Sequence, residues 1–516
     1  MSSETRRIQL HKEQRRAQIG RAALVGALAG LAAVGFQIGV SFAQSCAHWL
    51  AANLVLPLLL VVTTGVGALA AWITATYAPE AGGSGIPHIK AVLLHLRVLR
   101  PVRVIAVKLV AGLLALGCGM SLGREGPTVQ IGAAVGRLTG DILKIPRRSY
   151  GALIAAGSGA GLAAAFNAPL AGFLFVMEEM KREMSPITYG TALISSVCSV
   201  AVTRYLLGQA PSFHIPNPGP APLQALLPIA FVGVISGLAG VAFNKSLLGA
   251  IQIRERFGLP PWANGGLIGL LAGLMLVFFP SITGVGHEVT SRLLNGEFVG
   301  QNVVLLIFAV FAGKLIFTAL SYGTGVPGGI FSPILAMGAF LGYGLGMVVH
   351  AAWPGVGFNA AGFGTIGMAA MLSASVRAPL TGVVLIVEMT AEYQLLYALL
   401  IGSFMAYATA ELIGDEPIYE ALLERDLAKT NRVVSEEDEP VMIEFLVEPD
   451  SDMDGRRIKD LEMPEGALIT GVSRNNRILV PRGVTQLRAG DMVTAVVDGD
   501  NLMPSLKLHE MAKAPS

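Results

Sequence analysis

The sequence predicts an all-α polytopic membrane protein followed by a small α+β domain, and three observations carry that prediction. Only 14% of the residues are charged and 53% are hydrophobic, with a mean hydropathy of +0.61, whereas soluble domains carry about 25% charged residues. Apolar stretches recur over 22–43, 52–77, 103–122, 150–177, 187–206, 225–245, 264–279, 302–320 and 395–413. Several approach the roughly 20 residues that cross a bilayer, while others are shorter and broken by Gly or Pro, as in half-spanning or re-entrant helices. Finally, the composition changes after Gly414, where charged and then alternating apolar residues take over.

Taken in order, residues 1–20 form a basic leader to the first span, with Arg6, Arg7, Lys12, Arg15 and Arg16 followed by Arg21. No signal peptide pattern follows, so the positive-inside rule predicts a cytoplasmic N-terminus. A nucleic-acid arm is excluded because a membrane span begins at once. The membrane domain is expected over 21–425, in halves of about 21–210 and 225–425. Between them, 208–224 is Pro-rich without Lys or Arg, which fits an extracytoplasmic loop. Cys46, Cys118 and Cys198 are scattered through apolar segments, with neither a disulfide framework nor metal spacing.

The membrane domain repeats itself. Gly123-Arg124-Glu125-Gly126-Pro127 aligns with Gly329-Ile330-Phe331-Ser332-Pro333, at an offset of 206 residues. Nine residues beyond each first glycine, Gly132/Gly136 matches Gly338/Gly342. Ala168-Pro169-Leu170 matches Ala378-Pro379-Leu380 at an offset of 210, and a glutamate follows in each copy, Glu178 and Glu388. Repeats with interrupted helices in corresponding positions mark secondary-transporter folds whose binding site lies between them near the midplane. The motifs alone leave open whether the copies are inverted.

Three Gly/Pro segments predict helix starts: 83–87, 123–127 and 325–333. Converging helix N-termini offer unpaired N–H groups and partial positive charge, so they hold a small anion without the grip of a full cation. Glu125 is the costly residue, since an ionisable side chain at membrane depth is retained mainly where it has a function. Its carboxylate is an anion at a helix start and can compete with a free anion until a proton neutralises it. The other reading is a first-turn glutamate paired with Arg124 that only stabilises its helix. Lys108 and Lys314, each in an apolar helix, read either as electrostatic contributors to anion access or as buried partners of a carboxylate.

Together, GSGIP at 83–87, GREGPTVQIG at 123–132, AAAFNAPLAG at 163–172, PGGIFSP at 327–333, RAPLTG at 377–382 and Tyr419 after Pro417-Ile418 resemble the CLC family of chloride channels and anion/proton exchangers. The resemblance covers about 20–425 and implies a CLC-type fold, a homodimer with one pathway per subunit, and chloride as the ion. It implies that Ser84 and Tyr419 supply hydroxyls to the anion. The N–H groups of Ile330 and Phe331 would complete that site, among Gly85, Gly123, Arg124 and Gly126, with Glu125 as external gate. Glu179 matches the internal proton-transfer glutamate of exchangers, a residue that channel members typically lack. Serine at 84 resembles chloride-preferring members, where nitrate-preferring relatives carry proline. On the residues alone, Glu179 also reads as a helix-end carboxylate in contact with Lys181 or Arg182.

A charged linker is expected over 426–440, including the acidic residues 436–439, and a soluble domain over 441–516. Strands are predicted at 442–447, 467–472, 478–480 and 492–497, with a hairpin turn at 473–477 and one short helix over 454–461. Segments 455–461, 464–469 and 481–491 resemble the RCK-C (TrkA-C) regulatory module, which implies a prokaryotic protein, cytoplasmic C-terminus and possible dimerisation or binding of a small ligand such as a cyclic dinucleotide. The Gly-rich runs around 117–119 and 157–161 lie in apolar helices and not after a soluble strand, so they read as close helix packing and not nucleotide loops. His287-Glu288 lacks the second histidine of a zinc motif. The expectation is therefore a transporter of chloride and protons in the prokaryotic cell membrane, without enzymatic activity, metal or cofactor. A gated chloride channel of the same fold, or a ligand-sensing membrane regulator, are the competing readings.

Overall fold

The computed structural model describes residues 3–146, 150–181, 186–216, 219–429, 441–474, 477–497 and 503–514. The side chains of Arg6, Arg7, Lys12, Arg15, Arg16 and Lys181 lie outside the described residues, as do Arg182, the acidic run 436–439 and the turn residues Asn475 and Asn476. The chain divides into two compact units, one made of 1–89 with 100–422 and the other of 90–99 with 423–516.

Among the described residues, the membrane unit is two eight-helix halves. The first holds α1 (Ser3–Asn53), α2 (Leu56–Tyr77), α3 (Ile86–Leu93, in this unit only as far as Ile89), α4 (Pro101–Gly117), α5 (Glu125–Ile142), α6 (Tyr150–Phe166), α7 (Pro169–Phe175) and α8 (Pro186–Leu207). The second holds α9 (Leu226–Phe257), α10 (Pro261–Phe278), α11 (His287–Leu294), α12 (Val303–Gly323), α13 (Phe331–Ala352), α14 (Ala360–Val376), α15 (Pro379–Thr390) and α16 (Leu396–Leu412). Among the described residues, α1, α2, α8, α9, α10, α12, α13 and α16 are long and apolar enough to cross a bilayer. The others are shorter, as the interrupted apolar stretches require, except α5, which has 18 residues but is not apolar enough.

Two of those interruptions have identifiable causes. The stretch 150–177 is not one span, because Asn167 adopts a left-handed backbone (φ +58°) and Pro169 opens a new helix. Its repeat mate breaks the same way, at Arg377 (φ +67°) and Pro379. The stretch 103–122 likewise ends as a helix at Gly117, and the chain is irregular until α5 begins at Glu125.

The halves are related by a local two-fold axis that reverses chain direction. Gly123 and Gly329 form an antiparallel bridge and exchange both backbone bonds, each at 2.7 Å. Equivalent helices pack equivalently, α5 on α6 and α13 on α14, while α2 meets its own mate α10. The Gly-x3-Gly pattern explains the first pairing. A Cβ on Gly132 would sit 2.1 Å from the Gly157 carbonyl oxygen, and one on Gly338 would sit 2.3 Å from that of Gly367. The backbones approach too closely for any side chain.

The second unit contains α17 (Ile418–Lys429) from Leu423 onward, four strands and α18 (Met503–Ala512). Leu423 and Leu427 of α17 pack with Ala91 and Leu96, and Arg97 donates to the Asp426 carbonyl at 3.3 Å. Strands β1 (Val441–Leu446), β2 (Ala467–Arg474), β3 (Arg477–Leu479) and β4 (Met492–Val497) form one antiparallel sheet in the order β1-β4-β2-β3. Its core gathers Ile443, Phe445, Ile469, Val472, Val493 and Leu508.

The helix expected over 454–461 is not formed. Only a single 3-10 turn, Ile458–Asp460, is present there, because the segment's backbone pairs elsewhere. Gly455 donates to Leu487 at 3.0 Å, Ile458 to Thr485 at 3.0 Å and Lys459 to Gly483 at 2.9 Å. The helix of this domain is instead α18.

Candidate anion and proton site

All three predicted helix starts form: Ile86 opens α3, Glu125 opens α5 and Phe331 opens α13. The backbone ties them together. Gly83 donates to the Val326 carbonyl at 3.0 Å and accepts from Gly328 at 2.9 Å, while Gly123 and Gly329 bridge as described. The glycines act by what they lack. A Cβ on Gly85 would meet Gln130 Oε1 at 2.1 Å, and one on Gly126 would meet the Cα atoms of Ser84 and Gly329, each at 2.8 Å.

Ser84, Tyr419, Ile330, Phe331 and Glu125 are all fully buried. Ser84 Oγ accepts from the Ile86 N–H at 3.3 Å and from Tyr322 Oη at 3.5 Å. The Tyr419 hydroxyl, also fully buried, has no hydrogen-bond partner among the described residues. Leaving a buried hydroxyl unpaired costs about 1–3 kcal/mol, so such a group calls for a ligand or another explanation. The Tyr419 ring stacks on Phe331, centroids 6.1 Å apart, and Phe166 and Phe175 pack against the same ring at 6.3 and 5.8 Å. Phe331 is thus an apolar wall between the first repeat and Tyr419.

Glu125 does not use its own helix start. Its carboxylate reaches across the repeat to the N-terminus of α13, accepting from Ser332 N–H at 3.4 Å and from Ser332 Oγ. The Arg124 guanidinium is 3.9 Å away at Nε and donates from Nη2 to the Ala165 carbonyl at 3.4 Å. The carboxylate thus stands near Arg124 and accepts hydrogen bonds at the start of a foreign helix.

Glu179 is buried, 1% exposed, in a π-helical turn, Val176–Lys181, that continues α7. Such turns are frequent at functional positions. Its neighbour Glu178 is committed elsewhere. Glu178 accepts from the N–H groups of Leu380 and Thr381 at 3.1 and 2.6 Å, capping α15. Glu388 accepts from Leu170 and Ala171 at 3.1 and 2.9 Å, capping α7. Each half thus caps a helix of the other. The mate of Glu179, one residue after Glu388, is Met389. So the acids shared by both halves are structural, and the two unshared ones, Glu125 against Phe331 and Glu179 against Met389, mark where the halves differ.

Lys108 donates to the Gly83 carbonyl at 2.8 Å, and Lys314 to Ser121 Oγ and the Gly284 carbonyl at 3.2 Å each. Neither amine meets a carboxylate among the described residues, which favours the electrostatic reading over the paired one. Tyr322 and Ser332 were not singled out from the sequence. Ser332 stands inside the repeated motif, which is the signal that marks it, whereas nothing local to Tyr322 announces its reach to Ser84.

A family profile described as voltage gated chloride channel matches residues 66–411, two thirds of the chain. The chain belongs to the CLC family. A TrkA-C domain profile matches residues 442–503, so this CLC protein carries that module after its membrane unit. It is similar to the H(+)/Cl(-) exchange transporter ClcA of Vibrio campbellii, 39% identical over 419 residues, covering 79% of this chain and 89% of that protein. ClcA of Yersinia pestis is 38% identical over 422 residues, covering 79% of this chain and 87% of that protein. Among solved structures, a slow cyanobacterial Cl−/H+ antiporter superposes with a TM-score of 0.75 at 34% identity, covering 80% of this chain and 99% of that one. This CLC chain is therefore a multi-pass membrane protein of two repeats with broken helices and an α+β C-terminal domain.

Proposed function

We propose that this CLC protein is a secondary active transporter that exchanges chloride for protons. The observation that carries the reading is the repeat asymmetry. The halves share scaffold acids, but only the first adds Glu125 and Glu179, where the second has Phe331 and Met389. In this reading chloride lies between Ser84 and Tyr419, against the N–H groups at the start of α13, and takes its last donor from the otherwise unpaired Tyr419 hydroxyl. Glu125 is the gate: ionised, it holds Ser332 and excludes chloride from the α13 N-terminus; protonated, it releases that position. Glu179 delivers the proton from the cytoplasmic side. The exchanger names borne by the relatives support the assignment, and a homodimer in the prokaryotic cell membrane with both termini cytoplasmic is its natural setting.

Purified protein in liposomes, read simultaneously with chloride and pH electrodes, tests this. An imposed chloride gradient is expected to drive protons uphill. Glu125→Gln should pass chloride with no coupled protons, and Glu179→Gln should lose most proton flux and keep chloride flux. Chloride flux without any proton movement in the unaltered protein would make it a channel of the same fold.

A further inference from the structure

The repeat gives the anion loop a counterpart that the exchange reading does not use. Gly83-Ser84-Gly85-Ile86-Pro87 follows the 3-10 turn Pro79–Ala81 and opens α3; Gly284-Val285-Gly286-His287-Glu288 follows the 3-10 turn Pro280–Ile282 and opens α11. Both helices have eight residues. The backbones agree, with φ of +58° and +79° at Gly83 and Gly85 and of +59° and +87° at Gly284 and Gly286. The charge beneath agrees too. Lys108 and Lys314 are repeat mates at the same offset of 206 residues. Each donates to the carbonyl of its loop's first glycine, at 2.8 and 3.2 Å. A helix start backed by a buried amine has thus been built twice.

We propose that the second loop, at the N-terminus of α11, is a further binding site for a small monovalent anion, on the side of the Gly123–Gly329 crossing opposite Ser84. The inference rests on reading the first loop as an anion site. The N–H groups of His287, Glu288 and Val289 precede the first intrahelical bond, from Thr290 N–H to the Gly286 carbonyl at 3.0 Å. The Thr290 hydroxyl is an independent pointer to a ligand. Thr290 is 1% exposed, and its Oγ1 has no hydrogen-bond partner among the described residues. It lines a small cavity with Gly286, His287 and Ser332, and Ser332 is the residue that holds the Glu125 carboxylate. Gly286 and His287 also border a larger cavity of about 360 Å³ lined by Arg124, Arg292, His48, Gln44 and Glu288. Arg292 is bonded to Glu297 at 3.0 Å, whereas Arg124 Nε is buried and makes no hydrogen bond among the described residues.

The difference between the loops sets their roles. Val285 stands where the first loop has Ser84, so the second loop lacks a hydroxyl of its own and relies on backbone N–H groups, Thr290 and the field of Lys314. An anion there is held more loosely than at Ser84. One step beyond the Glu125 carboxylate, it is placed to enter when that carboxylate is neutralised.

Crystals of the full chain grown with bromide in place of chloride test the site through anomalous scattering. A bromide peak is expected near the Glu288 and Val289 N–H groups and Thr290 Oγ1, beside one at Ser84 and Tyr419. In Thr290→Val the former should fall about 3- to 10-fold in occupancy at fixed bromide while the latter stays, as loss of one hydrogen bond implies. Bromide at Ser84 with only water at α11 overturns the second site and spares the first. A peak at α11 that ignores Thr290→Val is an adventitious ion only and also overturns it. Bromide at neither loop removes both readings.

Discussion

Glu125 and Asp491 are both buried carboxylates, and their partners give them opposite duties. Glu125 has hydrogen-bond donors on one residue of a foreign helix and a guanidinium 3.9 Å away, so in the proposed exchange it has only Ser332 to give up. Asp491 accepts from Arg474 Nε and Nη2, each at 2.7 Å, and from Arg488 N–H at 2.9 Å. Burial pushes the Asp491 carboxyl up, but these donors outweigh it and hold the group below its ordinary value. A carboxyl with a lowered folded pKa adds stability that is fully present above its unfolded pKa, about 3.9, and is lost as the pH falls through the folded value. Hydrogen exchange over 441–497 should therefore show the C-terminal sheet loosening only below about pH 4. Asp491→Asn should weaken the sheet at neutral pH by about 1–3 kcal/mol and remove that acid-dependent component, since the charged acceptor of Arg474 is gone. Tyr419→Phe is the contrasting case. Its hydroxyl bonds to nothing among the described residues, so the melting temperature should hold while chloride affinity, read by calorimetric titration, drops about 5- to 10-fold. A comparable loss of stability would mean that the hydroxyl is structural.

At the scale of elements, the fold closes by exchange between the halves. The caps Glu178 on α15 and Glu388 on α7 each satisfy two helix-start N–H groups, and a carboxylate there also meets the positive end of the helix. Glu178→Ala and Glu388→Ala should each lower stability in detergent by about 1–3 kcal/mol, with Glu388→Ala leaving the proton-to-chloride ratio unchanged, as expected of a carboxylate committed to the start of α7. A changed ratio in Glu388→Ala would refute the division between scaffold and functional acids. This division was only half legible in the sequence. The repeated motif exposed both glutamates and the Phe331 opposite Glu125, but not what Glu178 and Glu388 touch, because their partners lie some 200 residues away. The helix starts were legible because Gly and Pro announce them locally. The splitting of 150–177 is legible only in part, since Pro169 marks the new helix but nothing local marks the left-handed Asn167 before it, and the helix expected at 454–461 does not form because pairing with 483–487 overrides local preference.

For the whole molecule, the two compact units fix where the chain can be cut. The second unit is not only the C-terminal sheet: it includes residues 90–99, which lie within the first half of the membrane domain in sequence. There Ala91 and Leu96 are covered by Leu423 and Leu427 of α17, and Arg97 is tied to Asp426. A truncation after residue 440 removes the sheet and α18 but keeps this cluster. It should transport chloride within about a factor of two of the full chain, since uncovering no apolar core leaves little to destabilise. A truncation after residue 422 removes Leu423 and Leu427 and exposes side chains that are nearly fully buried, Ala91 at 0% and Leu96 at 4% exposure. At roughly 25 cal/mol per Å² of apolar surface, and with Tyr419 only three residues from the cut, that variant should lose stability and chloride binding together. Reconstituted flux of the two truncations, with and without a cyclic dinucleotide for the full chain, separates the alternatives. If the shorter one transports normally, the cluster is dispensable. If the longer one is silent, the C-terminal domain is a working part of the transporter and not an appendage.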